Sequence, residues 1–260
     1  EGYGPNKEVF KKFSQDYVKL VFTVDCGTMS YSEMEFAKEE GLDVIVLDHH
    51  QPEAKYPEAF AFINPNRFDD DSQLGYLAAV GVSFMFLVSL NRKSRSENWF
   101  DTKNLEEPNL ITFLDLIALG TICDSVPLKG INRLMVIKGL KVIQKRKNHG
   151  LNALIDIAEI NQKVSVYDLG FKLGPRINAA GRIGKSNFGV DLLISNDRHK
   201  AQEISSELEK FNLERKTIEN HVYEMATQQI NAEMKESKII VVYDDCLLYT
   251  SPSPRDKRQS

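Results

Sequence analysis

The chain has 260 residues, 42% of them hydrophobic and 27% charged, with a formal net charge of −4. That usage supports a sizeable core and argues against whole-chain disorder, while the negative balance excludes a broadly basic coat for nucleic acid and leaves only a local basic patch. Three cysteines argue against a disulfide-stapled scaffold. The longest apolar run, residues 77–90, is too short to span a bilayer. With no charged-then-apolar leader, a cytoplasmic protein without a membrane segment is expected.

Residues 1–6 read as a turn-like loop inside a longer protein. Residues 19–25 (KLVFTVD) are apolar and β-rich, and predict a buried strand. Ser30 and Glu33 form a capping-box pattern, so a helix starts at about Tyr31 and stops at Gly41. Asp43–Leu47 (DVIVL) is the next strand. Strand, helix and strand this close together imply parallel pairing with a right-handed crossover. Asn64-Pro65-Asn66 reads as a turn, residues 74–90 as a long apolar helix and residues 91–109 as a polar surface connection. Residues 110–119 form another apolar helix, and residues 132–145 an amphipathic one ending in basic Lys145-Arg146-Lys147.

From residue 197 to 236 the pattern changes. Ile204, Leu208, Phe211, Ile218, Val222 and Met225 alternate at spacings of four and three, with Arg215 in the missing slot: a heptad stripe. Forty helical residues would reach ~60 Å. Such a helix either packs on its own domain or joins two domains across a groove, and the strand-like residues 238–243 that follow favour the joining strut. Residues 246–256 break all pattern and resemble a translated sequencing-library adaptor, with a disordered Pro/Ser tail as the alternative; residues 246–260 are set aside as a non-native tail.

In parallel sheets, ligands sit at the carboxyl ends of the strands. Asp25 ends the first strand and Asp48-His49-His50 closes the second, so neighbouring strands would bring these side chains to one edge. Asp124, in the turn after the 110–119 helix, is a third acidic candidate. Carboxylates with imidazoles suit a divalent transition metal, and Mn²⁺ or Mg²⁺ accepts such oxygen-rich sites; a pair of ions could clamp a phosphodiester.

Thr23-Val24-Asp25-Cys26-Gly27, Leu47-Asp48-His49-His50, the run from Ala118 through Asp124 to Leu128, and Gly174-Pro175-Arg176-Ile177-Asn178-Ala179-Ala180-Gly181-Arg182 occur in that order. Together they resemble the DHH phosphoesterase superfamily, and within it the RecJ-type single-stranded-DNA exonucleases. The resemblance implies an α/β fold. It consists of a parallel-sheet DHH domain with flanking helices (residues 1–196), a connecting helix (197–237) and the first strand of a truncated second, DHHA1-like domain (238–245). It implies that Asp25 and Asp124 bridge two Mn²⁺ or Mg²⁺ ions, that His49 ligates one, that His50 faces the scissile phosphate and that Asp48 orients a histidine from behind. Arg176, Asn178 and Arg182 would contact the phosphate chain, since guanidinium pairs phosphate bidentately. As a bare stretch, residues 174–182 read rather as a glycine-punctuated loop whose arginines pair nearby carboxylates, and it is the resemblance that favours substrate contact.

The implied activity is metal-dependent 5′ to 3′ hydrolysis of single-stranded DNA to mononucleotides, in DNA repair and recombination, by a monomer that works with a single-strand-binding protein and a helicase. Phosphodiesterase action on short oligonucleotides or cyclic dinucleotides is the alternative within enzymes; a non-catalytic DNA-binding scaffold is the alternative outside them. One departure stands out. No Asp-x-Asp-Gly element precedes Asp25 and no glycine-rich second-domain motif follows, so truncation at both ends and an inactive isolated fragment are the expectation.

Overall fold

The computed structural model describes residues 4–181 and 187–229. They fall into two compact units: residues up to Lys145 together with Val164–Gly170, and Arg146–Lys163 together with residues from Phe171 on. The division falls within the 1–196 stretch expected as one domain.

The first unit is built on three parallel strands, β1 (Leu20–Val24), β2 (Asp43–Leu47) and β3 (Ala61–Ile63), in that spatial order. Leu20 lies opposite Asp43 and Val24 opposite Leu47, while Leu47 lies opposite Ile63, so the strands finish level with one another. Helix α1 (Lys7–Gln15) precedes them, capped by Asn6, whose Oδ1 accepts from the Val9 N–H at 2.8 Å. Helix α2 (Tyr31–Glu39) makes the crossover and buries Met34 and Ala37 with Val44, Val46 and Phe10.

A second cluster joins Leu77, Val82, Leu114, Ile117 and Met135, with Ile63 against it. It is supplied by α3 (Ala79–Ser96), α5 (Leu114–Cys123) and α6 (Gly130–Ile143), with the short α4 (Trp99–Lys103) between α3 and α5. The strand β1 leaves Leu20, Phe22 and Val24 substantially exposed, although Phe22 meets Phe86 of α3 with ring centroids 5.7 Å apart.

The structure corrects several boundaries. The long apolar helix starts at Ala79 rather than 74, because residues 74–77 form a turn in which the Leu77 N–H donates to the Leu74 carbonyl at 2.9 Å. It then runs to Ser96, and α4 follows, so the stretch expected as a polar connection is largely helical. Residues 110–113 form a 3₁₀ turn ahead of α5.

The second unit contains α7 (His149–Ile157), α8 (Gly174–Gly181), α9 (Asn187–Leu193) and α10 (Arg198–Gln229). The Gly-Pro-Arg stretch read as a loop is α8, which continues without a break from the π-helical residues Asp168–Leu173; Pro175 thus follows a π-type widening of the helix, the kind of irregularity that goes with a proline inside a helical run. Ala201, Ser205, Leu208 and Asn212 of α10 are buried, and the helix packs on α7, α8 and α9. Beyond Asn212 no described residue of α10 is buried. The amino-terminal half is thus packed on its own unit, while further along the heptad stripe Ile218 is exposed and Val222 and Met225 are half-buried. The expected end of this helix, the 238–245 strand and the 246–260 tail lie outside the described residues. Among those described, no helix is long and apolar enough to cross a membrane.

Helices α5 and α6 approach at Gly139, where a Cβ would lie 2.1 Å from the Leu114 carbonyl oxygen and 2.5 Å from the Ala118 Cβ. Gly139→Ala should therefore push the helices apart and destabilise the chain by ~1–3 kcal/mol, as overpacking does. Chemical denaturation measures it, with Gly181→Ala, where a Cβ would meet nothing within 4 Å among the described residues, as the control.

Candidate metal and phosphoester site

Because β1 and β2 are parallel and end level, the residues just past them share one edge of the sheet. Asp25 follows β1 with φ of 60°, in the left-handed region, and its N–H donates to the Leu47 carbonyl at 3.0 Å. Gly27 completes this turn at φ of 112°, and a Cβ there would meet Thr23 Oγ1 at 2.9 Å, so glycine is required on both counts. Asp124 arrives from a different direction, as the residue that ends α5.

These residues converge. His49 Nε2 lies 3.3 Å from Asp25 Oδ1 and 3.4 Å from Asp124 Oδ2. Donor atoms of Asp25, His49 and His50 all lie within 4.8 Å of one another. The two imidazole rings are tilted against each other, with centroids 4.7 Å apart.

Asp48 is buried behind them. Its Oδ2 accepts from the Thr28 N–H at 3.1 Å and the Thr28 hydroxyl at 2.6 Å. Its Oδ1 accepts from the His49 N–H at 2.8 Å and pairs with His50 Nδ1 at 2.6 Å. Burial by itself would raise the Asp48 carboxyl, but hydrogen bonds from His50 and Thr28, with the His50 charge and the His49 amide, outweigh it and hold the group well below the usual carboxylate range. Burial likewise works to lower His49, yet the carboxylates of Asp25, Asp124 and Asp48 together raise it above its ordinary value. The two neighbouring thiols stay protonated: burial, then Asp48 and Asp25, push Cys26 up to about 11, and burial, then Asp124, push Cys123 up to about 11.

This donor set fits a divalent cation. With Nδ1–H committed to anionic Asp48, His50 presents Nε2, which is buried with no hydrogen-bond partner among the described residues. Carboxylate and imidazole donors together suit Mn²⁺ or Mg²⁺. All five residues expected at the strand edge (Asp25, Asp48, His49, His50 and Asp124) are brought together. Sequence reasoning missed Thr28, and it read Asn64 and Asn66 only as parts of a turn. A polar side chain three residues past Asp25 was the available signal for Thr28; for the asparagines, polar residues following a short apolar run.

The basic candidates are placed differently. Arg176 is largely buried in the second unit, with Nε 2.5 Å from Glu209 Oε2, Nη2 3.2 Å from Glu209 Oε1 and Nη1 donating to the Lys172 carbonyl at 2.7 Å. Its guanidinium is thus engaged by a carboxylate. Asn178 is exposed on α8, and Arg182 lies outside the described residues. Arg146, of the basic helix end, pairs with Asp156 at 2.9 Å.

Comparison with known proteins agrees with this geometry. Residues 2–121 match the DHH family, N-terminal domain. The small parallel sheet and the site at its edge lie within or beside this matched domain. The chain is 42% identical over 221 residues to the single-stranded-DNA-specific exonuclease RecJ of Salmonella typhimurium, covering 84% of this chain and 38% of that protein. It is 34% identical over 247 residues to the RecJ of Bacillus subtilis, covering 93% of this chain and 29% of that protein. Among solved structures, it is similar to exonuclease RecJ bound to manganese, with a TM-score of 0.73 and 31% identity, covering 90% of this chain and 57% of that one. It is also similar to RecJ of Thermus thermophilus in complex with Mn²⁺, with a TM-score of 0.71 and 30% identity, covering 86% of this chain and 33% of that one. Residues 2–121 thus carry a DHH-family N-terminal domain, and most of the chain is similar to RecJ-type proteins. It spans well under half the length of the curated relatives it matches.

A histidine raised by carboxylates contributes stability that is complete below about 6.5 and is lost as the pH rises through its raised value. In the metal-free chain, the His49 imidazole should titrate above its ordinary value, and Asp124→Asn should bring the midpoint down. NMR of the imidazole resonances against pH checks both outcomes.

Proposed function

We propose that this chain carries the hydrolytic centre of a metal-dependent, single-strand-specific DNA exonuclease that works 5′ to 3′ and releases mononucleotides. The observation that carries the reading is the meeting of Asp25, His49, His50 and Asp124 from three separate elements at one sheet edge. On this reading residues 1–196 form the phosphoesterase domain and the helix from residue 197 to 237 leads towards a second domain beginning at 238–245. Support for the substrate and for manganese or magnesium comes from the RecJ relatives, named as single-stranded-DNA-specific exonucleases and solved with Mn²⁺ or Mg²⁺.

Asp25, Asp124 and His49 would hold the cations. Divalent ions held there would supply charge neutralisation at phosphorus and activation of water. The chain's own groups divide the remaining work. Asp48 fixes the His50 tautomer and its direction through Nδ1, so that Nε2 faces the reacting phosphate. Thr28 holds Asp48 from the opposite side. Asn178 on α8 and Arg182 would follow the phosphate chain, and Arg176 would join them by exchanging Glu209 for phosphate. The setting would be cytoplasmic DNA repair and recombination, with single-stranded DNA, a single-strand-binding protein and a helicase as partners of a monomeric enzyme.

Mn²⁺ should raise the melting temperature of the chain by mass action. Asp124→Ala should abolish most of that rise and Asp43→Ala, at the far end of β2, should keep it; equal responses would remove Asp124 from the site. In a protein of the relatives' length that carries this chain, Mn²⁺ should support release of mononucleotides from a 5′-phosphorylated single strand but not from duplex, and His49→Ala should reduce the rate at least a hundredfold. Preference for dinucleotides or cyclic dinucleotides in the same assay would replace the exonuclease reading with the short-substrate one.

A further inference from the structure

We propose that Asn64 and Asn66 are positioning residues that aim the His49 and His50 imidazoles by gripping the backbone carbonyls of that dipeptide; the inference rests on the site proposed above. Asn64 is almost wholly buried. Its Nδ2 donates to the His50 carbonyl at 2.8 Å and to Thr28 Oγ1 at 3.0 Å. Asn66 Nδ2 donates to the His49 carbonyl at 2.5 Å. The two asparagines are themselves locked together, since Asn64 Oδ1 accepts from the Asn66 N–H at 2.8 Å.

The peptide groups of the dipeptide are therefore held from two sides. Asp48 Oδ1 accepts from the N–H groups of His49 and His50, at 2.8 and 3.4 Å, while the asparagines donate to the two carbonyls. The strands explain how the asparagines reach them. The Asp48 N–H donates to the Ile63 carbonyl at 3.1 Å, which sets the residues after β2 beside the residues after β3. Gly75 leaves room for Asn66, because a Cβ there would meet Asn66 Oδ1 at 2.4 Å. The whole forms one connected network. Thr28 gives its hydroxyl hydrogen to Asp48 and receives one from Asn64, Asp48 holds the His50 ring, and Asn64 holds the His50 backbone. Plain satisfaction of two carbonyls would need only any two donors. Donors tied both to each other and to the group that fixes the ring constrain direction, and a ligand constellation tolerates an error of only about 0.5 Å or 10–20°.

The test uses the whole chain with Asn66→Ala, Asn64→Ala and, as a structural control in the second unit, Asn148→Ala, which removes a helix cap and a bond to the Leu193 carbonyl. Mn²⁺ affinity is read by electron paramagnetic resonance at a temperature where each metal-free variant is folded, and the metal-free thermal midpoint is read separately. Positioning predicts a 10–100-fold loss of Mn²⁺ affinity in Asn66→Ala and Asn64→Ala, the range typical of groups that orient ligands. In Asn148→Ala it predicts a lowered midpoint with unchanged affinity. Affinity within twofold of the parent in Asn66→Ala, with only the midpoint lowered, would overturn the proposal and leave a strand-end cap. Asn66→Ala keeps the test open if Asn64→Ala does not fold. A third readout needs no metal. The hydrogen-bonded Nδ1–H resonance of His50 should shift or broaden in Asn66→Ala, and an unshifted resonance overturns positioning. A parent chain that binds no Mn²⁺ would instead overturn the metal-site reading, so the two failures are told apart.

Discussion

Asp48 is the constraint on which the site depends. Moving a carboxylate out of water costs several kcal/mol unless its lone pairs are met, and here they are met by five donors: the Thr28 amide, the Thr28 hydroxyl, the His49 amide, the His50 amide and the His50 ring. The depressed Asp48 carboxyl is the signature of that compensation, because burial on its own acts the other way. Every donor belongs to a residue next to the proposed reaction centre. The same bonds that stabilise the buried charge therefore fix the turn after β1, the His-His dipeptide and the His50 tautomer together.

The backbone supplies the second constraint. Asp25 can face His49 only because the chain reverses past β1 with Asp25 and Gly27 both at positive φ. A non-glycine residue in that region is uncommon, and Asp is among those that tolerate it best. Asp124 is set by packing instead. It ends a helix whose depth is fixed by the approach of Gly139 to the Leu114 carbonyl, so a contact in the helical layer sets the position of a carboxylate at the sheet edge. Three elements with three different origins of rigidity thus meet at His49.

The parts of this design that local pattern determines were legible in the sequence. The strand β2 has the bounds its sequence predicts, β1 and α2 match to within one or two residues, and the DHH element falls at a strand end as the parallel pairing demands. The parts that depend on tertiary partners were not legible. Strand β3 is three residues long, too short for any period to show, and exists through its pairing with β2. Helix α8 opens with Gly-Pro, which reads as a break in the sequence, yet the helical run from Asp168–Leu173 passes through it by way of π-type turns. Arg176 looks available in the sequence because its partner, Glu209, lies thirty-three residues away on α10. Asn64 and Asn66 look like turn residues, since a turn and a clamp have the same composition and only the neighbouring strand distinguishes them.

Electrostatics then orders the events that the proposed function requires. Asp25 and Asp124 face the same imidazole, in a chain with a net charge of −4. Two like charges that share one partner repel each other, and a phosphodiester brought to the same edge would meet that field as well. In the metal-free chain the relief comes from a proton: the carboxylates raise His49, so that its imidazole carries positive charge over a wider range of pH than an isolated one. A cation ligated by His49 needs the neutral imidazole and so competes with that proton for Nε2. The arrangement that favours His49 protonation also provides the attraction for a divalent cation, which brings more charge to the same carboxylates. Charge neutralisation at this edge therefore has to precede the approach of the phosphate, and the acidity of the site, which on its face opposes a polyanionic substrate, is what makes that neutralisation favourable.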